Sequence, residues 1–202
     1  MSILEVAEII GILSFALSGF LIAVEVKLDI LGIFIASFLT ALGGGVIRDV
    51  IVGRALFAFT NNYASLLVLA VIMSAIYLKV QRMENDIEKH PLFIWADTLG
   101  MVSFAISGAL VAVHAGFNFF GVILLSLITA VGGGVMRDIL INKIPLILVS
   151  EFYGSVALFV GMLIFLLAQL AWLNPWTIMI VFVVGVGLRF IAISRHWHLP
   201  KI

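Results

Sequence analysis

Thr40-Ala41-Leu42-Gly43-Gly44-Gly45-Val46-Ile47-Arg48-Asp49 returns 89 residues later as Thr129-Ala130-Val131-Gly132-Gly133-Gly134-Val135-Met136-Arg137-Asp138. The repeat extends outward on both sides. Gly11-x-x-Ser14-Phe15-Ala16-x-Ser18-Gly19 matches Gly100-x-x-Ser103-Phe104-Ala105-x-Ser107-Gly108, Ser37 matches Ser126, and Glu8 stands opposite Asp97. About 20 of the 47 positions from Ala7 to Gly53 are identical to their partners, which marks an internal repeat by fixed-offset self-similarity. Shared apolar composition does not reproduce the Ser, Thr, Gly, Arg and Asp positions.

The repeated units are hydrophobic. Apolar residues make up 64% of the 202-residue chain and charged residues 11%, against about 25% charged in a soluble domain. The apolar residues come in runs long enough to cross a bilayer. Seven spans are predicted: Leu4–Val24, a second from about Ile30 through Gly43-Gly44-Gly45, Tyr63–Leu78, Phe93–Val113, a fifth from about Phe119 through Gly132-Gly133-Gly134, Tyr153–Leu173 and Trp176–Ser194. The first run lacks a basic region and a cleavage site and is read as a retained helix, not a signal peptide. Short amphipathic pieces follow each glycine cluster, at Val50–Phe59 and Ile139–Leu148. The expected fold is an all-α integral membrane protein. It is a single transmembrane domain over residues 1–202, with repeat one at about 4–80, a polar linker at about 79–92, repeat two at about 93–173, and an unpaired seventh helix at about 176–194.

Three spans per repeat is an odd number, so the second repeat must enter from the opposite face, giving an inverted pair. One side collects Lys27, Lys79, Arg82, Lys89, Arg137, Lys143, Arg195 and Lys201; the other collects Arg48 and Arg54. The positive-inside rule makes the first side cytoplasmic, with the N-terminus outside, as for a multi-pass protein of the cell inner membrane surrounded by lipid. Trp95, Trp172, Trp176 and Trp197 fall near span ends, as interfacial anchors do.

Formal charge is balanced, with 11 basic and 11 acidic residues, so no basic face is offered to nucleic acid. The absence of Cys removes disulfides and thiolate metal sites. His196-x-His198 is read as a solvated tail pair, and no metal or cofactor is expected. No nucleophile–base constellation suggests an enzyme.

Three glycines inside a span each cost roughly 1 kcal/mol of helix propensity relative to alanine. Uncovered backbone in hydrocarbon must be buried in protein or line a wet cavity. Two readings follow: close helix packing, or a break in the second and fifth helices that lines a polar route. The break is the expectation here. Polar residues at helical spacing trace the route's candidate walls. These are Glu8, Ser14 and Ser18 on the first span and Ser37, Thr40 and Arg48 on the second. Asp97, Ser103 and Ser107 on the fourth and Ser126, Thr129 and Arg137 on the fifth repeat them. Asp49 and Asp138 complete Arg–Asp pairs near the expected mouths. The alternative for the hydroxyls is interhelical hydrogen bonding, and for the Arg–Asp pairs a neutral pair at the interface.

Two copies of Thr-Ala-x-Gly-Gly-Gly-Val-x-Arg-Asp, each preceded by Ser-x-x-x-Ser-Gly, in seven spans, resemble the prokaryotic branch of the trimeric intracellular cation (TRIC) channel family over nearly the whole chain. The resemblance implies a homotrimer with an hourglass-like pore inside each protomer, kinked at Gly43, Gly44, Gly45, Gly132, Gly133 and Gly134, passing potassium and sodium. Animal members carry basic residues on the fourth span. Phe93–Val113 has none, so the gating those residues provide is not expected. Related bacterial sequences have been labelled glycine-transporter-like, and a secondary carrier of a small solute such as glycine is the alternative.

Overall fold

The computed structural model describes residues 2–82, 87–149, 152–195 and 197. Among these residues the regular structure is helical. The α-helices are α1 (Ile3–Glu25), α2 (Ile30–Val52), α3 (Phe57–Thr60), α4 (Asn62–Tyr77), α5 (Pro91–His114), α6 (Phe119–Leu140), α7 (Leu146–Val149), α8 (Tyr153–Gln169) and α9 (Pro175–Ser194). Five of them (α1, α2, α5, α6 and α9) are long and apolar enough to span a bilayer; α4 and α8 are apolar but shorter, at 16 and 17 residues. The amphipathic pieces expected after the glycines resolve into the ends of α2 and α6 and the one-turn helices α3 and α7. The tail histidines His196 and His198 lie outside the described residues.

Local signals place the helix ends, and they repeat. Asp29 caps α2 by accepting from the Gly32 amide at 2.7 Å, and Asn118 caps α6 by accepting from Gly121 at 2.9 Å. Left-handed residues close the paired helices at equivalent positions: Lys27 (φ 57°) and Gly116 (φ 74°) after α1 and α5, Gly53 (φ 73°) and Asn142 (φ 57°) after α2 and α6. Pro91 and Pro175 open α5 and α9, where a missing amide costs no helical bond.

α1 packs on α5 and α2 on α6, with α4 flanking the first repeat and α8 the second. α9 lies against α8 and α5. The middle belongs to α5, whose apolar window is 89% buried, while that of α9 is 28% buried and faces outward. Leu66, Leu69, Met73, Ile180 and Val183 are exposed, as a lipid-facing surface requires. Trp95, Trp172, Trp176 and Trp197 are also exposed, close to helix ends.

One polar contact fixes the direction of the two repeats. Lys143, just past α6, donates to Glu25 at the end of α1 (2.8 Å) and to Glu88 just before α5 (2.9 Å), and the Ile87 amide also donates to Glu25 (3.2 Å). The end of α1 therefore lies beside the start of α5, and the two helices run antiparallel. The inter-repeat linker is held to both.

The expected break at the glycines is corrected. Helical structure runs without interruption from Ile30 to Val52 and from Phe119 to Leu140, through both glycine triplets. The physical reason is helix contact. A Cβ on Gly44 would overlap the Thr129 carbonyl oxygen, and a Cβ on Gly133 would overlap the Thr40 carbonyl oxygen. The glycines let two continuous backbones touch. Since Thr40 and Gly44 are the repeat partners of Thr129 and Gly133, this contact occurs twice with its members exchanged, the mark of two-fold related units.

Candidate ion pathway: two charge clusters around a glycine crossing

Because α2 and α6 continue through the glycines, Thr40, Gly44 and Arg48 share one helix face, as do Thr129, Gly133 and Arg137. The crossing places Gly44 and Gly133 at the molecular centre and carries the arginines to its two ends. Both guanidinium groups are buried, each residue being 1% exposed. An arginine at that depth needs partners for its fixed fork of donors.

Around Arg48 the partners come from both repeats. Its Nη1 lies 2.9 Å from Glu8 Oε1 and its Nε 2.8 Å from Asp49 Oδ1. Nη1 also donates to Ser107 Oγ at 2.5 Å. Arg54 adds a second cation, with Nε 2.8 Å from Asp49 Oδ1 and Nη2 3.5 Å from Glu8 Oε1. Asp49 Oδ2 accepts from the Phe57 amide at 2.9 Å, which folds the chain back into α3. The group holds two formal negative and two formal positive charges.

The second cluster repeats the first. Arg137 Nε donates to Asp138 Oδ1 at 2.8 Å and Nη1 to Ser18 Oγ at 3.0 Å. Ser18 donates in turn to Asp97 at 3.3 Å. Asp138 Oδ2 accepts from the Leu146 amide at 3.0 Å and turns the chain into α7, as Asp49 does for α3. Each arginine thus takes an aspartate from its own helix and a serine from the other repeat.

A small chamber adjoins each cluster. One, of about 10 Å³, is bordered by Glu8, Ala41, Gly45, Arg48, Phe57 and Phe104. The other, also about 10 Å³, is bordered by Val131, Gly134, Arg137, Asp138, Leu146 and Tyr153. Each is of the size that holds about one water molecule. Between them the glycine crossing is closed by backbone contact, and the aromatic pair Phe15–Phe104 (ring centres 5.4 Å apart) packs where Gly100 and Gly11 leave room.

Of the residues singled out in the sequence, Glu8, Arg48, Asp49 and Ser107 form one cluster and Asp97, Arg137, Asp138 and Ser18 the other. The remaining hydroxyls do other things. Thr40 and Thr129 donate back to Ala36 and Leu125 carbonyls, both at 2.6 Å, on their own helices. Ser126 is an interhelical link, with Oγ 2.9 Å from the Ala105 carbonyl and 3.0 Å from that of Ala157. Ser37 and Ser103 are buried outside the clusters, and Ser14 is half-buried. Three participants escaped the sequence reading: Arg54, counted there only as a loop charge, Tyr153, and Arg189 in the seventh span. Arg189 is the missed signal that was available, since an arginine inside an apolar span stands out.

A buried, doubled charge network in an all-helical bundle with an apolar exterior defines a membrane protein of the transport class. Comparison with known proteins gives the family. The family model described as "Glycine transporter" matches twice, over residues 5–80 and 94–169, at the offset of the internal repeat. The UPF0126 membrane protein YvgT of Bacillus subtilis is 33% identical over 98% of this chain and 95% of its own length. A solved TRIC cation channel, described in work on the structural basis for conductance, superposes with a TM-score of 0.86 at 31% identity, covering 98% of this chain and 96% of that one. The trimeric intracellular cation channel orthologue from Rhodobacter sphaeroides gives 0.85 at 25% identity, covering 97% and 100%. The chain belongs to this family, the prokaryotic branch of the TRIC channels.

Proposed function

We propose that the protein is a monovalent cation channel, passing potassium and sodium through an hourglass-like pathway within each protomer of a homotrimer. The observation that carries the reading is the pair of buried Arg–carboxylate clusters standing at opposite ends of one helix crossing, each beside a water-sized chamber. Buried charge of this cost is kept in a membrane interior for ion or proton movement. The likeness to a channel described for its conductance supports it, and the Rhodobacter sphaeroides relative is described as trimeric.

In this reading α1, α2, α4, α5, α6, α8 and α9 all cross the membrane. Repeat two is inverted relative to repeat one, and the side bearing Lys27, Lys143 and Arg195 is cytoplasmic. The Glu8–Arg48 cluster then faces outside and the Asp97–Arg137 cluster faces the cytoplasm. The Gly44–Gly133 crossing is the constriction, shut in the conformation seen. Conduction requires α2 and α6 to part there, joining the two chambers. The carboxylates of each cluster receive the cation while the arginines limit how tightly it is held, so that it can leave.

A secondary carrier of a small solute is the second reading, favoured by the description of the matching family model. Planar-bilayer recording of the purified protein in asymmetric potassium chloride separates the two. Unitary currents reversing near the potassium potential support the channel. Saturable glycine uptake without unitary currents supports the carrier, and currents reversing at the chloride potential refute cation conduction.

A further inference from the structure

The repeat is broken at one functional position. Arg54, which completes the first cluster by bridging Asp49 and Glu8, has Lys143 as its counterpart in repeat two. Lys143 does not enter the second cluster. Its ammonium is held by Glu25 and Glu88 instead. Left with Asp97, Arg137 and Asp138 alone, the second cluster would carry one formal negative charge more than the first.

The seventh helix supplies what is missing. Arg189 projects from α9 and is 6% exposed. Its guanidinium carbon lies 4.8 Å from the ring centre of Tyr153. Tyr153 borders the chamber of Arg137 and Asp138. Arg189 and Asp97 also border one cavity of about 60 Å³. The counterpart of Tyr153 in repeat one is Ala64, so the stacking surface that receives this guanidinium exists only in the second half.

We infer that Arg189 is the fourth member of the cytoplasmic-side cluster, standing in for Arg54, and that by cancelling the excess negative charge of that cluster it keeps conduction equal in the two directions. This rests on the channel reading above. The helix outside the repeat thereby gains a role of its own, because α9 restores the charge balance that a lysine in place of arginine at position 143 leaves incomplete.

The consequence has a sign. A mouth with one excess negative charge concentrates cations beside it, and a unit charge about 10 Å away in water changes local cation concentration by about twofold. Arg189→Gln should enlarge current leaving from the α9-end cluster by about twofold over the reverse. Arg54→Gln should rectify to a similar extent in the opposite direction. The test is single-channel recording in patches of fixed sidedness, in symmetric potassium chloride at 0.01 M (about a 30 Å screening length) and at 1 M (about 3 Å). Rectification that shrinks at 1 M is expected, because a screened charge causes it; a packing defect would not respond to salt. Arg189→Lys keeps the charge and should keep the current symmetric. It also carries the test if loss of the guanidinium prevents folding. Symmetric currents from folded Arg189→Gln, rectification in the same direction as Arg54→Gln, or rectification in Arg189→Lys would overturn the inference while leaving the channel intact. Absence of unitary currents from the unaltered protein would overturn both.

Discussion

Replacing Gly44 by alanine tests whether the α2–α6 crossing is the seal. A Cβ there would overlap the Thr129 carbonyl oxygen and lie 3.2 Å from the Thr129 carbonyl carbon and 3.5 Å from the Gly133 amide nitrogen. All three atoms are backbone of a continuous helix, so no side chain can swing away. The helices themselves must separate. Overpacking of this kind costs about 1–3 kcal/mol. Alanine recovers about 1 kcal/mol of helix propensity, but it does so in the open and closed conformations alike. The differential term therefore falls on the closed state, and about 1–3 kcal/mol is about a 5–150-fold change in an equilibrium. Open probability in a planar bilayer should rise by that factor in Gly44→Ala. The control is one residue away: a Cβ on Gly45 would meet only Arg48 Nη2 at 3.7 Å, which is ordinary contact, so Gly45→Ala should leave open probability near its original value. Equal effects at the two positions, or no change in a folded Gly44→Ala protein, would refute the crossing as the seal.

Three further outcomes are expected. Ser18→Ala removes the hydroxyl that joins Arg137 to Asp97 and should cost about 1.5–3 kcal/mol, lowering the thermal midpoint in detergent; an unchanged midpoint would show that the cross-repeat bonds do not support the fold. Lys27→Gly should raise that midpoint by roughly 1 kcal/mol of stability, because Lys27 holds a left-handed conformation that its repeat partner fills with Gly116; a lower midpoint would contradict it. Lys143→Met should free the linker, speeding hydrogen exchange at the Ile87 amide about 2–5-fold for a partly exposed ion pair worth about 0.5–1 kcal/mol. Burial would by itself lower the Lys143 ammonium, but its bonds to Glu25 and Glu88 outweigh burial and lift it above the usual lysine range. Its contribution is therefore complete below that range and is lost as pH rises through the lifted value, so protection of the Ile87 amide relative to its intrinsic base-catalysed exchange should fall only at strongly alkaline pH.

What the sequence made legible was whatever repeats. The offset of 89 residues located the paired glycines, arginines, aspartates and serines, and the Arg–Asp and Arg–Ser contacts of both clusters join such positions. Hydropathy located the helices to within a few residues: α1 is Ile3–Glu25 against an expectation of Leu4–Val24. The break at the glycines was misread because glycine's low propensity is a weak term, outweighed where a neighbouring backbone needs the space that Cβ would fill. Serine roles were hard to divide. Ser18 and Ser126 are both buried hydroxyls, but one meets a guanidinium and the other two carbonyls, and only the facing helix decides which. Arg54 and Arg189 were overlooked as cluster members because they do not obey the repeat: one lies in a loop and the other on the helix without a partner.

The exchange of partners between repeats also constrains how the crossing can open. Arg48 on α2 rests against Ser107 on α5, and Arg137 on α6 rests against Ser18 on α1. Gly44 and Gly133 each face the other repeat's threonine carbonyl. Sliding repeat one past repeat two by one turn would bring a side chain onto a carbonyl that now accepts only glycine, and it would carry both arginines off their serines at once. Two buried guanidinium groups would lose a hydroxyl partner together, at about 1.5–3 kcal/mol for each hydrogen bond to a charged group. Moving α2 and α6 apart, sideways from the crossing, asks for less. The aspartates travel with the arginines on the same helices, so Arg48–Asp49 and Arg137–Asp138 survive the motion. The serine bonds stretch, Arg48–Glu8 holds where α1 travels with α2, and the room opened at each arginine adjoins a chamber that already exists. A register pinned twice by glycine, with charges that move as units, favours lateral parting as the way this crossing lets a hydrated ion through.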